Sequence, residues 1–328
     1  MQGDFRFSPL ENGLEFLLSS LEHLTAASSL ATTSAIPATE NAWNQKRHLK
    51  YALLHLCSSI EVLFKVRLKQ EHWSLVFANV NKADNAAQDD GEFESVSFND
   101  LMDRLVRICK IDLSEEQRRQ LANLRIRRNR MEHYGAVDSL LAVTASVSTM
   151  VSFTVDFVEG AFTSDVLEQE RRLINNIRGK LGACSAFVEQ RWKEIRNDVD
   201  GFNSVIECPT CQQPALEVDA GSVKCRFCYH TATPQEAAHE YIIRVLGHES
   251  RYTVEKDGGR WPLSACPECG ADTLVTKGVD LEAFCFNCGQ HWAGSELSRC
   301  LDCNELYVVD GEEILICDDC FQARMKKD

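Results

Sequence analysis

Apolar residues recur at three- and four-residue spacing through "SPLENGLEFLLSSLEHL" (8–24) and through "QKRHLKYALLHLCSSIEVLFKVRLKQEHWSLVF" (45–77), and after Pro9 at the very start neither stretch has an internal proline. Both are predicted helices. Serines at Ser97 and Ser114 each precede an acid or amide by three positions, in "SFND" and "SEEQ". That is the capping-box pattern of a helix start. Between the second of these helices and Ser97, "NKADNAAQDDGEFES" (81–95) is polar and turn-rich and is predicted to be a loop. Two further helical patterns run near Asp138 to Val158 and Asp165 to Asp198. Because "SLLAVTASVSTMVSF" is rich in β-branched residues, a strand there is the alternative. The first 200 residues therefore read as a bundle of about five helices.

Beyond residue 200 the pattern changes to short apolar alternations broken by turns. Twelve of the fifteen cysteines fall there, in CxxC pairs: Cys208/Cys211 with Cys225/Cys228, Cys266/Cys269 with Cys285/Cys288, and Cys300/Cys303 with Cys317/Cys320. The intervals "ALEVDAGSVK", "TLVTKGVDLEAF" and "LYVVDGEEILI" each read as strand, turn, strand, with Asp310-Gly311 a two-residue hairpin signal. Four thiolates delivered by two tight turns suit a tetrahedral metal ion, zinc first and iron as the alternative. With all four ligands cysteine, no position is left for water, so three structural zinc ions are expected and a catalytic one is not. These modules resemble zinc ribbons. The expected division is a helical domain at 1–200, ribbon 1 at 204–232, a helical linker at 233–262, ribbon 2 at 263–294 and ribbon 3 at 297–328. Trp261, Trp292, Phe227 and Tyr229 are candidate contact residues in the ribbons, or packing residues beside the metal.

Apolar residues make up 44% of the chain and charged residues 26%, an ordinary balance for a soluble globular protein. No run of eighteen apolar residues occurs, and "MQGDFRFSPLENG" has no leader-like pattern, so a cytoplasmic protein without membrane contact is expected. The formal net charge of −14 argues against a wholly basic nucleic-acid-binding surface. From Gly201 onward there are 11 basic and 21 acidic side chains, so the ribbon region holds most of the negative charge.

Against this acidity stands "LRIRRNRMEHYG" (124–135), with four arginines in six residues. On a helix Leu121, Leu124, Arg128 and Met131 share a face, so Arg128 is expected to point toward protein, and Glu61, between Leu54 and Leu68 on an apolar face, is its expected partner. Arg125, Arg127 and Arg130 fall elsewhere and suit solvent or phosphates. The competing possibility is a solvated basic face ending in an ordinary helix-end histidine.

"RNRMEH" resembles the Arg-polar-x-x-x-His signature of HEPN domains, which are helical bundles, and "LLHLCSSIEVLFKVRL" is similar to the acidic helix of that family with Glu61 at its acidic position. The resemblance implies a metal-independent endoribonuclease working as a homodimer on an RNA substrate. His133 would exchange protons with the ribose 2′-hydroxyl or the leaving 5′-oxygen, Arg128 would stabilise the phosphate, Asn129 would orient it, and Glu61 would complete the site. It further implies a toxin or antiviral-defence effector, with the ribbons recognising a regulatory protein or a phage-derived trigger, or restraining the enzyme with their acidic surface. The alternative is a non-catalytic adaptor that binds RNA or protein.

Overall fold

A computed structural model describes residues 7–32, 38–134, 138–162, 166–201, 205–219, 221–278, 282–309 and 316–326. Two compact units divide between Lys193 and Glu194, a few residues ahead of the expected boundary.

The first unit is helical, as predicted. Helices α1 (Pro9–Thr32) and α2 (Ala38–Glu71) pack along much of their lengths, burying Leu14, Leu17, Leu21 and Leu24 against Leu49, Leu53, Leu56 and Ile60. Close approach is set at Gly13, where a Cβ would lie 2.8 Å from Leu63, and Ser59 donates to the Gly13 carbonyl at 2.9 Å. Helix α2 stops at Glu71, and "WSLV" forms a 3-10 turn instead of continuing the helix. The stretch predicted as a loop contains a short helix, α3 (Asn85–Asp90), with Asp84 as its N-cap. Helix α4 (Phe98–Arg107) anchors this region, because Arg104 donates to the carbonyls of Leu75, Phe77 and Ala78.

Helix α5 (Glu115–His133) opens with the reciprocal Ser114–Gln117 capping box that the sequence predicts, and Ser97 caps α4 through the Asp100 N–H. The β-branched stretch is helical: α6 (Leu140–Ala161) buries ten residues, among them Val147, Met150 and Val151. Its length and apolarity would let it cross a membrane, yet it is largely buried in the helical unit and packs on α1, α2 and α5. The predicted helix over 165–198 is two, α7 (Glu168–Leu181) and α8 (Ser185–Val199), parted at Gly182, whose backbone entropy disfavours a helix interior. Helix α8 is tied to α6 by Arg191, almost fully buried, which reaches Asp156 at 2.8 Å and Ser152 at 3.3 Å.

An imidazole cluster lies between α1 and α2. His23 Nδ1 is 2.9 Å from His48 Nδ1, the His23 and His55 rings are 5.5 Å apart, and Ser19 bonds His55 Nδ1. Burial, then His48 and His55, depress the His23 pKa, with Arg47 adding slightly and Glu22 opposing; burial alone depresses that of His55. The unfolded chain therefore binds protons near the ordinary value of 6.5 while the folded one resists them. Stability present above pH 6.5 is lost as pH falls through the lowered native values. The thermal midpoint of the helical unit, followed by circular dichroism, is expected to drop between about pH 7 and pH 5, and a His23→Gln, His55→Gln double variant is expected to flatten that dependence.

The second unit carries the strands. Ribbon 1 has β1 (Leu216–Asp219), β2 (Ser222–Cys225) and β3 (Thr231–Ala232), all antiparallel, with Val218 opposite Val223. Helix α9 (Pro234–Arg244) follows, started by a Thr233–Glu236 capping box with proline at its first position, and then α10 (Arg251–Lys256). The apolar face of α9 buries Ala237, Ala238, Tyr241 and Ile242 toward ribbons 1 and 2, Tyr241 packing on Phe286 at 5.3 Å. Ribbon 2 is a sheet in the order β4 (Leu263–Ser264), β5 (Leu274–Lys277), β6 (Glu282–Cys285), β7 (His291–Trp292). Ribbon 3 pairs β8 (Leu297–Arg299) with β9 (Leu306–Val308) and ends in α11 (Asp318–Met325). The Asp310-Gly311 turn lies outside the described residues.

The three ribbons are packed together. Gly221 N–H donates to Asn287 O at 3.0 Å between ribbons 1 and 2, and a side chain at Gly289 would press on the Val218 carbonyl at 3.2 Å. Leu274, Ala283 and Trp292 of ribbon 2 share one core with Leu297 and Leu306 of ribbon 3. Phe227, Trp261 and Trp292 are buried and Tyr229 is half-buried, so the aromatic candidates for contact are mainly packing residues. Such small domains lack area for independent cores and use their aromatics to fill them.

Candidate functional site

Six CxxC turns converge on three points. Within each set of four cysteines every Sγ lies within 4.8 Å of the others. Closest pairs are 3.8 Å for Cys208–Cys228 and Cys211–Cys225, 3.8 Å for Cys266–Cys288, 3.7 Å for Cys269–Cys285 and 3.7 Å for Cys303–Cys317. A metal–sulfur bond of about 2.3 Å sets a tetrahedral edge of about 3.8 Å, so the spacing fits one metal ion per set, whereas a disulfide would bring sulfurs to about 2.0 Å.

The turns are preorganised by their backbone. In five of the six pairs the residue after the second cysteine takes a left-handed conformation: Gln212, Tyr229, Gly270, Gly289 and Asn304, with φ between 58° and 73°. Each returns its N–H to the carbonyl of the first cysteine at 2.8–3.0 Å. The sixth pair runs into α11 instead. Burial pushes the Cys269 thiol up, but the Ala271 N–H, the Asn287 amide and the thiols of Cys266 and Cys285 bring it down to about 7. Burial pushes its partners Cys266 and Cys288 up instead, the latter to about 11, so the four thiols do not all ionise unaided and a bound cation is what would hold them as thiolates.

The arginine-rich motif lies in the last turns of α5. Arg128 donates to Asn129 Oδ1 at 3.0 Å and forms an ion pair with Glu132 at 2.8 Å; its side chain is 38% exposed. Glu132 also lies 3.9 Å from His133 Nε2. His133 is 61% exposed, and its ring meets Tyr134 edge-on. The structure thus brings Arg128, Asn129, Glu132 and His133 into one solvent-facing cluster. Glu132 was missed by the sequence reading, although its spacing of four from Arg128 is the signal for an ion pair on one helix face.

The expected Arg128–Glu61 pair is not formed. Glu61 bonds Lys65 of its own helix at 2.6 Å, because a cation four residues on is within reach without crossing the bundle. Nor does Arg128 replace a core hydrophobe: Leu121 and Leu124 are buried, and Arg128 turns outward to Glu132. Both residues nonetheless line one cavity of about 90 Å³, with Cys57, Ile60, Phe98 and Arg125 around them. Burial above all, with Glu61 and Glu132, raises the Cys57 thiol to about 12 against the pull of Arg128. That thiol is not a nucleophile near neutral pH.

The remaining arginines are not equivalent. Arg125 lies over the Phe98 ring at 5.3 Å, and Arg127 faces Asp138 at 3.6 Å and the Ala142 carbonyl at 3.5 Å. Arg130 is exposed and makes no ion pair among the described residues.

Neither family models, nor curated proteins, nor solved structures show a match to this chain.

Proposed function

We propose that the protein is an endoribonuclease of HEPN type whose ribbons hold three structural zinc ions and serve recognition or regulation. The observation that carries this reading is the solvent-facing cluster of Arg128, Asn129 and His133 in the last turns of α5. In the reaction the ribose 2′-oxygen attacks the adjacent phosphorus and the bond to the 5′-oxygen breaks. The 2′-hydroxyl proton goes to a base, and the leaving 5′-oxygen takes a proton from an acid, leaving a 2′,3′-cyclic phosphate and a 5′-hydroxyl. An imidazole can do either transfer near neutral pH, and a second copy of the chain would supply the other. Arg128 would meet the phosphate charge. Its pair with Glu132 is exposed, worth about 0.3–0.5 kcal/mol for such a helix pair, so a phosphate can compete for the guanidinium.

The same pair favours a second reading, in which Glu132 keeps Arg128 occupied and the helical unit binds without cleaving. A single-stranded RNA and a DNA of the same sequence separate the two. Cleavage of the RNA with the DNA left intact is expected, since DNA has no 2′-hydroxyl; retention of both uncut by the folded dimer supports the binding module.

A further inference from the structure

A cleft of about 740 Å³ opens in the helical unit between α2 and the facing residues Met131 of α5 and Val143 of α6. Its α2 wall carries Trp43, Lys46, Arg47, Lys50 and Tyr51. The first four are spaced i, i+3, i+4 and i+7, one face of a helix. Trp43 is 60% exposed, unusual for so large an apolar surface, and the Arg47 guanidinium lies over its ring at 5.7 Å. Lys46, Arg47 and Lys50 are exposed and have no carboxylate within ion-pair distance among the described residues. The one acid in the cleft, Asp138, faces Arg127. Elsewhere in this acidic chain several exposed arginines find acids, as Arg119, Arg172 and Arg251 do. Three unpaired cations around an exposed indole are therefore a local reversal of the chain's charge.

We propose that this cleft binds single-stranded RNA, an unpaired base stacking on Trp43 and phosphates meeting Lys46, Arg47 and Lys50. Cations that track a backbone beside an aromatic platform are the two components of strand binding without sequence readout. A folded acidic peptide would meet the cations but has no use for an indole that stays 60% exposed beside Arg47. Met131 lies between Arg128 and His133 in α5, so the strand would run along the flank of the cluster proposed to cleave it. In that sense the subsite rests on the ribonuclease reading and gives it a substrate class: unpaired RNA, not duplex.

The test uses full-length protein carrying His133→Ala, so that RNA stays intact, and a fluorescein-labelled single-stranded 20-nucleotide RNA followed by anisotropy at several salt concentrations. Lys46→Glu with Lys50→Glu is expected to weaken binding at least about tenfold at low salt and to reduce the salt slope by about 1.4, the share of two phosphate contacts on a single strand. Trp43→Ala is expected to weaken it roughly fivefold or more, and Trp43→Phe to restore most of the loss. All these side chains are exposed, and unchanged circular dichroism confirms folding. Binding that ignores both sets of variants, or an absence of RNA binding, overturns the proposal. So does loss of dimer in light scattering by Trp43→Ala, which would make the cleft a protein interface. Failure here is separable from failure of the ribonuclease reading. RNA cleavage with KM indifferent to Trp43→Ala rejects the subsite alone, whereas cleft-dependent binding without cleavage by the wild-type protein rejects the ribonuclease alone.

Discussion

Replacing His133 or Arg128 by alanine is expected to lower RNA cleavage by about 10²–10⁴-fold each while leaving the helical unit folded. Proton transfer by a positioned imidazole contributes on that order, and so does a donor aimed at charge that develops in the transition state. Folding should be spared because both side chains are solvent-facing and Arg128 surrenders an exposed pair with Glu132 and an exposed hydrogen bond to Asn129. The two losses should not add if the residues act on one step. Arg130→Ala is the matched control: the same charge is removed from the same helix at a position with no ion pair, so a small, salt-dependent change is expected. Equal effects at Arg128 and Arg130 would mean that the helix offers only a diffuse positive surface. Rates under single-turnover conditions, with circular dichroism on each variant, check this.

The second large effect concerns the metals. Purified protein is expected to hold three zinc ions per chain, counted by elemental analysis. Apparent binding free energies for structural zinc are about 10–16 kcal/mol in small domains, where metal binding and folding are one event. Cys211→Ser, which removes one of four buried ligands, should therefore unfold ribbon 1 and loosen the neighbours that share contacts through Asn287 and Val218. Chelator should strip the sites in order of access. Ribbon 3, with Cys303 exposed and Cys317 and Cys320 half-buried, goes first; ribbon 1, with all four sulfurs buried, goes last. The helical unit has its own leucine core and should keep its circular dichroism throughout. Simultaneous release of all three ions would show instead that the ribbons unfold as one.

What the sequence disclosed follows how local each determinant is. A CxxC turn, a serine cap three residues before its partner and an apolar face at helical spacing are set by neighbours in the chain, and the cysteine clusters, the α5 start and the helices α1 and α2 were legible from them. Where two outcomes competed for one pattern, the sequence left the choice open or misjudged it. Glu61 looked like a partner for Arg128 because both interrupt apolar stripes, but each found an opposite charge four residues away on its own helix. The β-branched run in α6 carries strand propensity and is helical because burial between neighbouring helices outweighs that weak preference. The basic face of α2 was hidden differently: its cations sit inside a long amphipathic pattern, and only the fold shows that no acid among the described residues comes to meet them.

The most direct measurement is the chemistry of the new ends left on RNA. Wild-type protein is incubated with single-stranded RNA in chelator at a concentration shown to leave the ribbon metals in place, and the fragments are analysed by mass spectrometry. Fragments ending in 2′,3′-cyclic phosphate and beginning with 5′-hydroxyl, absent with His133→Ala, are the expected result. Fragments with 5′-phosphate and 3′-hydroxyl ends, or wild-type products that persist unchanged in the His133→Ala protein, would contradict it.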